Sequence, residues 1–208
     1  LIILGPPGAG KGTQAELLEK KFGWIHMSTG DILREEMRKD NDLGRRVSSF
    51  VAAGDLVPDE VMIDIVRERI GGKNYEHGFI LDGFPRTVIQ AKMLDRLMDS
   101  MNIKIDSVIS IEVDSKYIID RLSKRYVCER CGTIYNNPEG IKMCTECGGR
   151  LIRRKDDEPD TISHRLKVYN DSIASLVDYY KERSILRSID GEADIDEVHR
   201  RILIALGV

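Results

Sequence analysis

Two periodicities share this chain. Short continuous apolar runs occur at residues 1–4, 24–27, 79–81 and 107–111, and again at 184–189. Uninterrupted apolar runs of this length are what strands buried on both faces look like. Between them, apolar residues recur at helical spacing. That pattern predicts helices over about 14–21, over 43–53 with Gly54 as the stop, and over 88–101 and 115–125. Ser28-Thr29-Gly30-Asp31 is a helix-start signal for a helix beginning near Ile32. Pro58-Asp59-Glu60 opens a longer helix with a stripe of Met62, Ile65, Val66 and Ile70. Glu158-Pro159-Asp160 opens the longest, striped by Ile162, Leu166, Tyr169, Ile173, Leu176, Val177 and Tyr180. Asp194 with Glu197 predicts a capping box for a final helix whose inner face carries Ile195, Val198, Ile202 and Leu206. Strands separated by helices imply an α/β fold, a parallel five-stranded sheet flanked by helices. Ligands of such sheets collect at the carboxyl ends of the strands, where Gly5, Met27, Asp82 and Glu112 fall.

Composition narrows the class without naming a chemistry. With 208 residues, 41% of them hydrophobic and 32% charged, the chain is long enough for one domain with inserts and far from the disordered class. A net charge of −3 argues against bulk nucleic-acid binding. No apolar run has membrane-spanning length, and the opening run is too short for a signal-peptide core. The chain opens on Leu1, not Met, which reads as a trimmed start. All four cysteines sit in Cys-x-x-Cys pairs, a pattern of intracellular metal binding, so cytoplasm is the expected location.

Chemistry begins at Gly5-Pro6-Pro7-Gly8-Ala9-Gly10-Lys11-Gly12-Thr13. A glycine-rich turn between a strand and a helix lets backbone N–H groups, here those around Gly8, Ala9, Gly10 and Gly12, wrap a phosphate at the positive end of a helix. Lys11 reaches the transferring phosphates and a hydroxyl, Thr13, holds Mg²⁺. Gly12 stands where the usual pattern has Ser or Thr directly after the lysine. A flexible connector is the plain alternative. Asp82 ends a buried strand, where a carboxylate can order Mg²⁺ or its water shell. Gly83 permits close backbone approach, and Arg86 offers a planar fork suited to phosphate, although a surface arginine would look the same. Cys128, Cys131, Cys144 and Cys147 form two knuckles that favour tetrahedral Zn²⁺ through four thiolates. Four protein ligands leave no open position, so such a metal is structural. Iron would also accept four thiolates.

The ordered set of segments resembles the adenylate kinase family, long-lid type with a four-cysteine zinc lid. It comprises the 5–14 loop, Ser28-Thr29-Gly30-Asp31-Ile32-Leu33-Arg34, Gly54-Asp55-Leu56-Val57-Pro58-Asp59-Glu60, the stretch from Gly78 to Thr87, and Arg154-Lys155-Asp156-Asp157. The loop alone is shared by many nucleotide enzymes; the whole set, spread over nearly all of the chain, is specific. The resemblance implies reversible phosphoryl transfer from MgATP to AMP giving two ADP, hence a role in adenine nucleotide homeostasis and nucleotide biosynthesis. It also implies a cytoplasmic monomer with no nucleic-acid or membrane partner. The implied division is a core of 1–27, 58–124 and 158–208, an AMP-binding domain at 28–57, and a zinc-binding lid at 125–157 whose closure excludes water.

By the same resemblance, Thr29, Arg34, Asp55, Leu56 and Val57 contact AMP, as do Gly83, Phe84, Pro85 and Arg86, and Gln90 faces adenine. Arg121 and Arg125 contact ATP; four apart, they are expected on one helix face, where a solvated basic stripe is the plain reading. Arg154 and Arg165, with Asp156 and Asp157, close over both phosphate chains. Ile134, Tyr135 and Ala193 meet the ATP base. The segment between the cysteine pairs is shorter than is usual in bacterial relatives with a zinc lid. His26, His77, His164 and His199 read as packing or surface residues, which suits a reaction needing no strong base. Two rival readings remain at this stage: a kinase for UMP/CMP or GMP, and a zinc-ribbon nucleic-acid-binding NTPase using Tyr126, Tyr135 and the basic run 150–155.

Overall fold

The computed structural model describes residues 1–39, 41–71, 75 and 77–208. In chain order, β1 (Ile2–Leu4) leads through the glycine loop to α1 (Lys11–Phe22), β2 (Ile25–Ser28), α2 (Thr29–Arg38), α3 (Asp42–Ala53) and α4 (Asp59–Gly71). Then come β3 (Phe79–Asp82), α5 (Val88–Ser100), β4 (Val108–Glu112) and α6 (Ser115–Ser123). Three short strands follow, β5 (Arg125–Cys128), β6 (Ile134–Asn136) and β7 (Leu151–Ile152). A single 3-10 turn, Lys155–Asp157, precedes α7 (Pro159–Lys181), β8 (Leu186–Asp190) and α8 (Ile195–Leu206).

The main sheet is parallel, in the order β2-β3-β1-β4-β8. Its strands are apolar throughout because helices cover both faces. Ile2 and Leu4 join one buried cluster with Met27, Leu81 and Val108, while Ile3 joins the other with Ile80, Ile109 and Ile189. Alternate residues of one three-residue strand thus feed opposite layers, as the strand period of two requires. Register places Ile3 beside Asp82 and Asp82 beside Ser28, so the glycine loop, the Asp82 turn and the start of α2 open on the same edge.

Local signals set most boundaries, and several expectations are corrected. The second helix begins at Thr29, three residues before Ile32, because Ser28 is its cap and accepts from the Asp31 N–H. The helix expected over 115–125 stops at Ser123. Arg125 instead opens a strand, with Arg125 opposite Asn136 and Val127 opposite Ile134, so Arg121 and Arg125 do not share a helix face. β5, β6 and β7 form a small antiparallel sheet that the cysteine spacing did not announce. In the last helix Asp194 accepts from the Glu197 N–H, but the Glu197 carboxylate is taken by Arg200 and Arg201. Ile195 lies outside the inner face, being 56% exposed, whereas Val198 and Ile202 are buried. Among the described residues no helix is long and apolar enough to cross a membrane.

Candidate active site

At the carboxyl end of β1 the chain turns from strand to helix without a side-chain cap. Gly10 takes that position at φ 95°, a left-handed conformation that costs glycine little. The N–H groups of the first turn of α1 therefore face outward unpaired, an anion site by construction. Lys11 Nζ donates to the carbonyls of Gly5 and Pro6, 2.9 Å each, so the ammonium lies across the mouth of its own loop. Burial lowers its pKa to about 8; Asp82 opposes this, while Arg86, Arg165 and Arg125 add to it.

Asp82, 8% exposed, directs Oδ2 toward Gly12 across the loop. His26 Nε2 stands 3.5 Å from that oxygen and, among the described residues, makes no hydrogen bond. Burial disfavours the imidazolium, but the Asp82 carboxylate outweighs it and His26 is raised above its ordinary value. His26 is thus a neighbour of the site, contrary to its sequence reading as a packing or surface histidine. Thr29 donates to the Asp82 carbonyl, tying the start of α2 to the end of β3.

Around this centre lies a cationic shell. Arg86 Nε donates to the Gly83 carbonyl at 2.8 Å, which aims its remaining donors into the cleft. Burial, with Arg165 next, lowers Arg86 to about 10. The residue keeps accessible surface because the cleft in front of it is open. Arg154 is likewise lowered to about 10, by burial and then by Arg34 and Arg125, and its buried Nε has no hydrogen-bond partner among the described residues. Asp157 holds Arg125 through two bonds of 2.8 and 2.6 Å and also accepts from Arg165 at 3.3 Å. Arg165 bonds Asp156 through both its carbonyl and its carboxylate. Cations that depress one another's pKa are arranged for an anion to relieve them.

Of these side chains, all but His26, Thr29 and Asp157 line one cavity of about 850 Å³. It collects Gly8, Ala9, Gly10, Lys11, Gly12 and Thr13 with Asp82, Gly83, Arg86 and Gln90. From 28–57 come Arg34, Asp55, Leu56 and Val57. From the far side come Arg121, Arg125, Ile134, Arg154, Asp156, Arg165 and Ala193. Thr29, Phe84 and Tyr135 are not on its wall: Thr29 and Phe84 are buried, and Pro85 lines a separate hollow of about 90 Å³. The Tyr135 hydroxyl lies 3.3 Å from Cys144 Sγ and 2.8 Å from the Thr145 nitrogen. Missed from sequence were Ile195, Gln14 and Asn136, which also line the cavity. An apolar residue directly after a helix cap was the available signal for Ile195; Gln14 and Asn136 gave none.

The four cysteine sulfurs all lie within 4.8 Å of one another. Cys128 and Cys147 stand 3.4 Å apart, Cys131 and Cys144 3.5 Å, and the Arg130 and Cys131 N–H groups point at Cys128 Sγ. A soft four-sulfur set at this spacing fits one tetrahedral metal. Arg153 lies over the Tyr126 ring at 5.3 Å, and the Tyr135 hydroxyl is bonded within the cysteine turn.

A phosphate loop at the end of a parallel strand, with a carboxylate beside it and arginines around one cavity, is the architecture of a phosphate-loop kinase. The family model for adenylate kinase matches residues 3–185. The chain is 44% identical over 212 residues to an adenylate kinase of Caldicellulosiruptor bescii, covering 100% of this chain and 99% of that protein. It is 46% identical to one of Carboxydothermus hydrogenoformans over 99% and 98% of the two chains. It is 44% identical to one of Archaeoglobus fulgidus over 97% and 95%. The chain belongs to the adenylate kinase family.

Proposed function

We propose that this protein transfers the terminal phosphoryl group of ATP to AMP, reversibly, giving two ADP. The observation that carries the reading is the single cavity in which the glycine loop, Asp82 and the arginines Arg34, Arg86, Arg121, Arg125, Arg154 and Arg165 converge. One polyphosphate needs a loop and a lysine; six further cations answer the charge of two nucleotides. In this reading 28–57 with Arg86 and Gln90 takes AMP, and Gln90 faces adenine. The glycine loop, Arg121, Arg125, Ile134, Ile195 and Ala193 take ATP, and 125–157 is the lid. Lid closure is a property of the family, not something read from this chain.

An ionised phosphate oxygen of AMP attacks the γ-phosphorus of ATP as the bond to the β,γ-bridging oxygen breaks; ADP leaves and no proton is moved. Alignment and charge are therefore what the residues supply. Lys11, once drawn from the Gly5 and Pro6 carbonyls onto phosphate, accompanies the transferring group. Arg86 and Arg34 hold the acceptor phosphate. Arg154, whose Nε has no hydrogen-bond partner among the described residues, and Arg165 bridge the two phosphate chains. The Asp82 carboxylate and Thr13 hydroxyl would hold Mg²⁺, which would supply further charge neutralisation at the phosphates. Zn²⁺ is the proposed occupant of the four thiolates, in a structural role. A cytoplasmic monomer completes the reading.

A coupled assay with MgATP and AMP tests it. ADP should form from MgATP and AMP, and ATP and AMP from ADP in the reverse direction, with kcat/KM for AMP exceeding that for CMP, UMP and GMP by about tenfold or more. No ADP, or a better rate with another nucleoside monophosphate, overturns it.

A further inference from the structure

Gln90 is 1% exposed, and both ends of its amide are already engaged within the protein. Oε1 accepts from the backbone N–H of Arg86 at 2.8 Å. Nε2 donates to Asp59 Oδ1, also at 2.8 Å. Asp59 is the first residue of α4, thirty-one positions away, and its carboxylate accepts but cannot donate.

An amide alone distinguishes bases weakly, because turning it over exchanges its donor and acceptor. Here the turned-over amide would set NH₂ against the Arg86 N–H and its oxygen against a carboxylate, two repulsive contacts in a buried place. One N–H and one lone pair remain unspent in the orientation the structure shows. Adenine offers N1 as acceptor and its 6-amino group as donor, which match. A 6-oxopurine offers N1–H and O6, which reverses both.

We propose that Asp59 is a specificity-determining positioning residue: by fixing the Gln90 amide it makes the acceptor site select a 6-aminopurine over a 6-oxopurine. The proposal rests on the reading that Gln90 faces the acceptor base. Asp59 does not touch the reacting atoms, so its effect falls on the choice of acceptor and on KM, not on kcat.

The test compares AMP with IMP as acceptor, at fixed MgATP, in the wild type and in Asp59→Asn, Asp59→Ala and Gln90→Leu. Asparagine can donate to a turned-over Gln90, removing one of the two repulsions. Asp59→Asn should therefore lower the AMP-to-IMP ratio of kcat/KM by about tenfold while kcat with AMP changes little. Asp59→Ala should raise KM for AMP severalfold with kcat kept. Thermal melting of each variant separates misfolding from a change of selectivity, since a merely destabilised protein loses both acceptors alike. An unchanged AMP-to-IMP ratio in folded Asp59→Asn, alongside a raised KM for AMP in Gln90→Leu, overturns the role of Asp59 and leaves the reading of Gln90 standing. An unchanged KM in Gln90→Leu overturns the reading itself and the proposal with it. A wild type that uses IMP as well as AMP overturns the proposal directly.

Discussion

Lys11 shows how much of a residue's behaviour its surroundings set. As an isolated lysine it would stay charged well beyond neutral pH; buried beside three arginines, with only Asp82 to offset them, it falls to about 8. A depressed lysine loses its charge as pH rises through the folded value. Since kcat/KM reports the free enzyme, kcat/KM for ATP should decline above about pH 8. Phosphates bound against Lys11 favour its cation, so kcat should hold to higher pH; identical profiles for the two would count against Lys11 as the titrating group. Replacement sharpens the same point. Lys11→Ala and Arg86→Ala should both unfold cooperatively near the wild-type temperature yet lose about 10³-fold in turnover, because each removes charge from the transferring group and not from the core. Near-normal rates in either would remove that residue from the mechanism. The loop lysine and Asp82 were legible in the sequence because their spacing and flanks carry the chemistry. His26 was not, because only the β2–β3 register brings it to Asp82.

Elements in this protein are decided partly by caps and partly by what they pack against. Ser28, Asn41, Thr87, Asp114 and Asp194 each cap a helix through a side-chain oxygen, and these signals can be read from composition alone. The end of α6 could not be read so. Nothing local forbids Arg125 from continuing the helix; pairing of β5 with β6 and β7, and the two bonds to Asp157, draw it into a strand. The 125–152 sheet is small and buries little: Val127, Cys128 and Cys144 are buried while Ile141, Met143 and Ile152 remain exposed. The metal proposed for the four thiolates would supply stability that so small an apolar unit lacks. Chelation should thus lower the melting of this segment before that of the main sheet, seen as early loss of amide protection from 125 to 152 in hydrogen exchange. Coincident loss across the whole chain, or no change, would contradict a structural metal there.

On the scale of the whole molecule, three regions meet at the cavity through contacts of unequal strength. Arg125, Asp157 and Arg165 form a web in which the Asp157 side chain is only 2% exposed, so the β5 end is held firmly to α7. The 28–57 segment is held to α7 differently, by His164 against Asp55 at 2.6 Å, with both side chains nearly half exposed. Solvent screens such a pair. A double-mutant cycle with His164→Ala and Asp55→Ala should give a coupling below about 1 kcal/mol in thermal or urea unfolding. A coupling several times larger would mean that this contact, not packing around Val47 and Val57, fastens the segment.

The sequence by itself determined the α/β class, the phosphate loop, the four-cysteine set and most helix starts. These depend on residues near one another in the chain: apolar periodicity, glycines where a loop must wrap an anion, oxygens placed to cap. Only the tertiary structure decided which groups share one cavity and what each is free to do there. It brought Ile195 and Gln14 to the wall and turned the Tyr135 hydroxyl toward Cys144. It also spent half of the Gln90 amide on Asp59 and Arg86, and left Arg154 Nε without a hydrogen-bond partner among the described residues. Those outcomes come from distances between residues remote in sequence, and no local pattern encodes them.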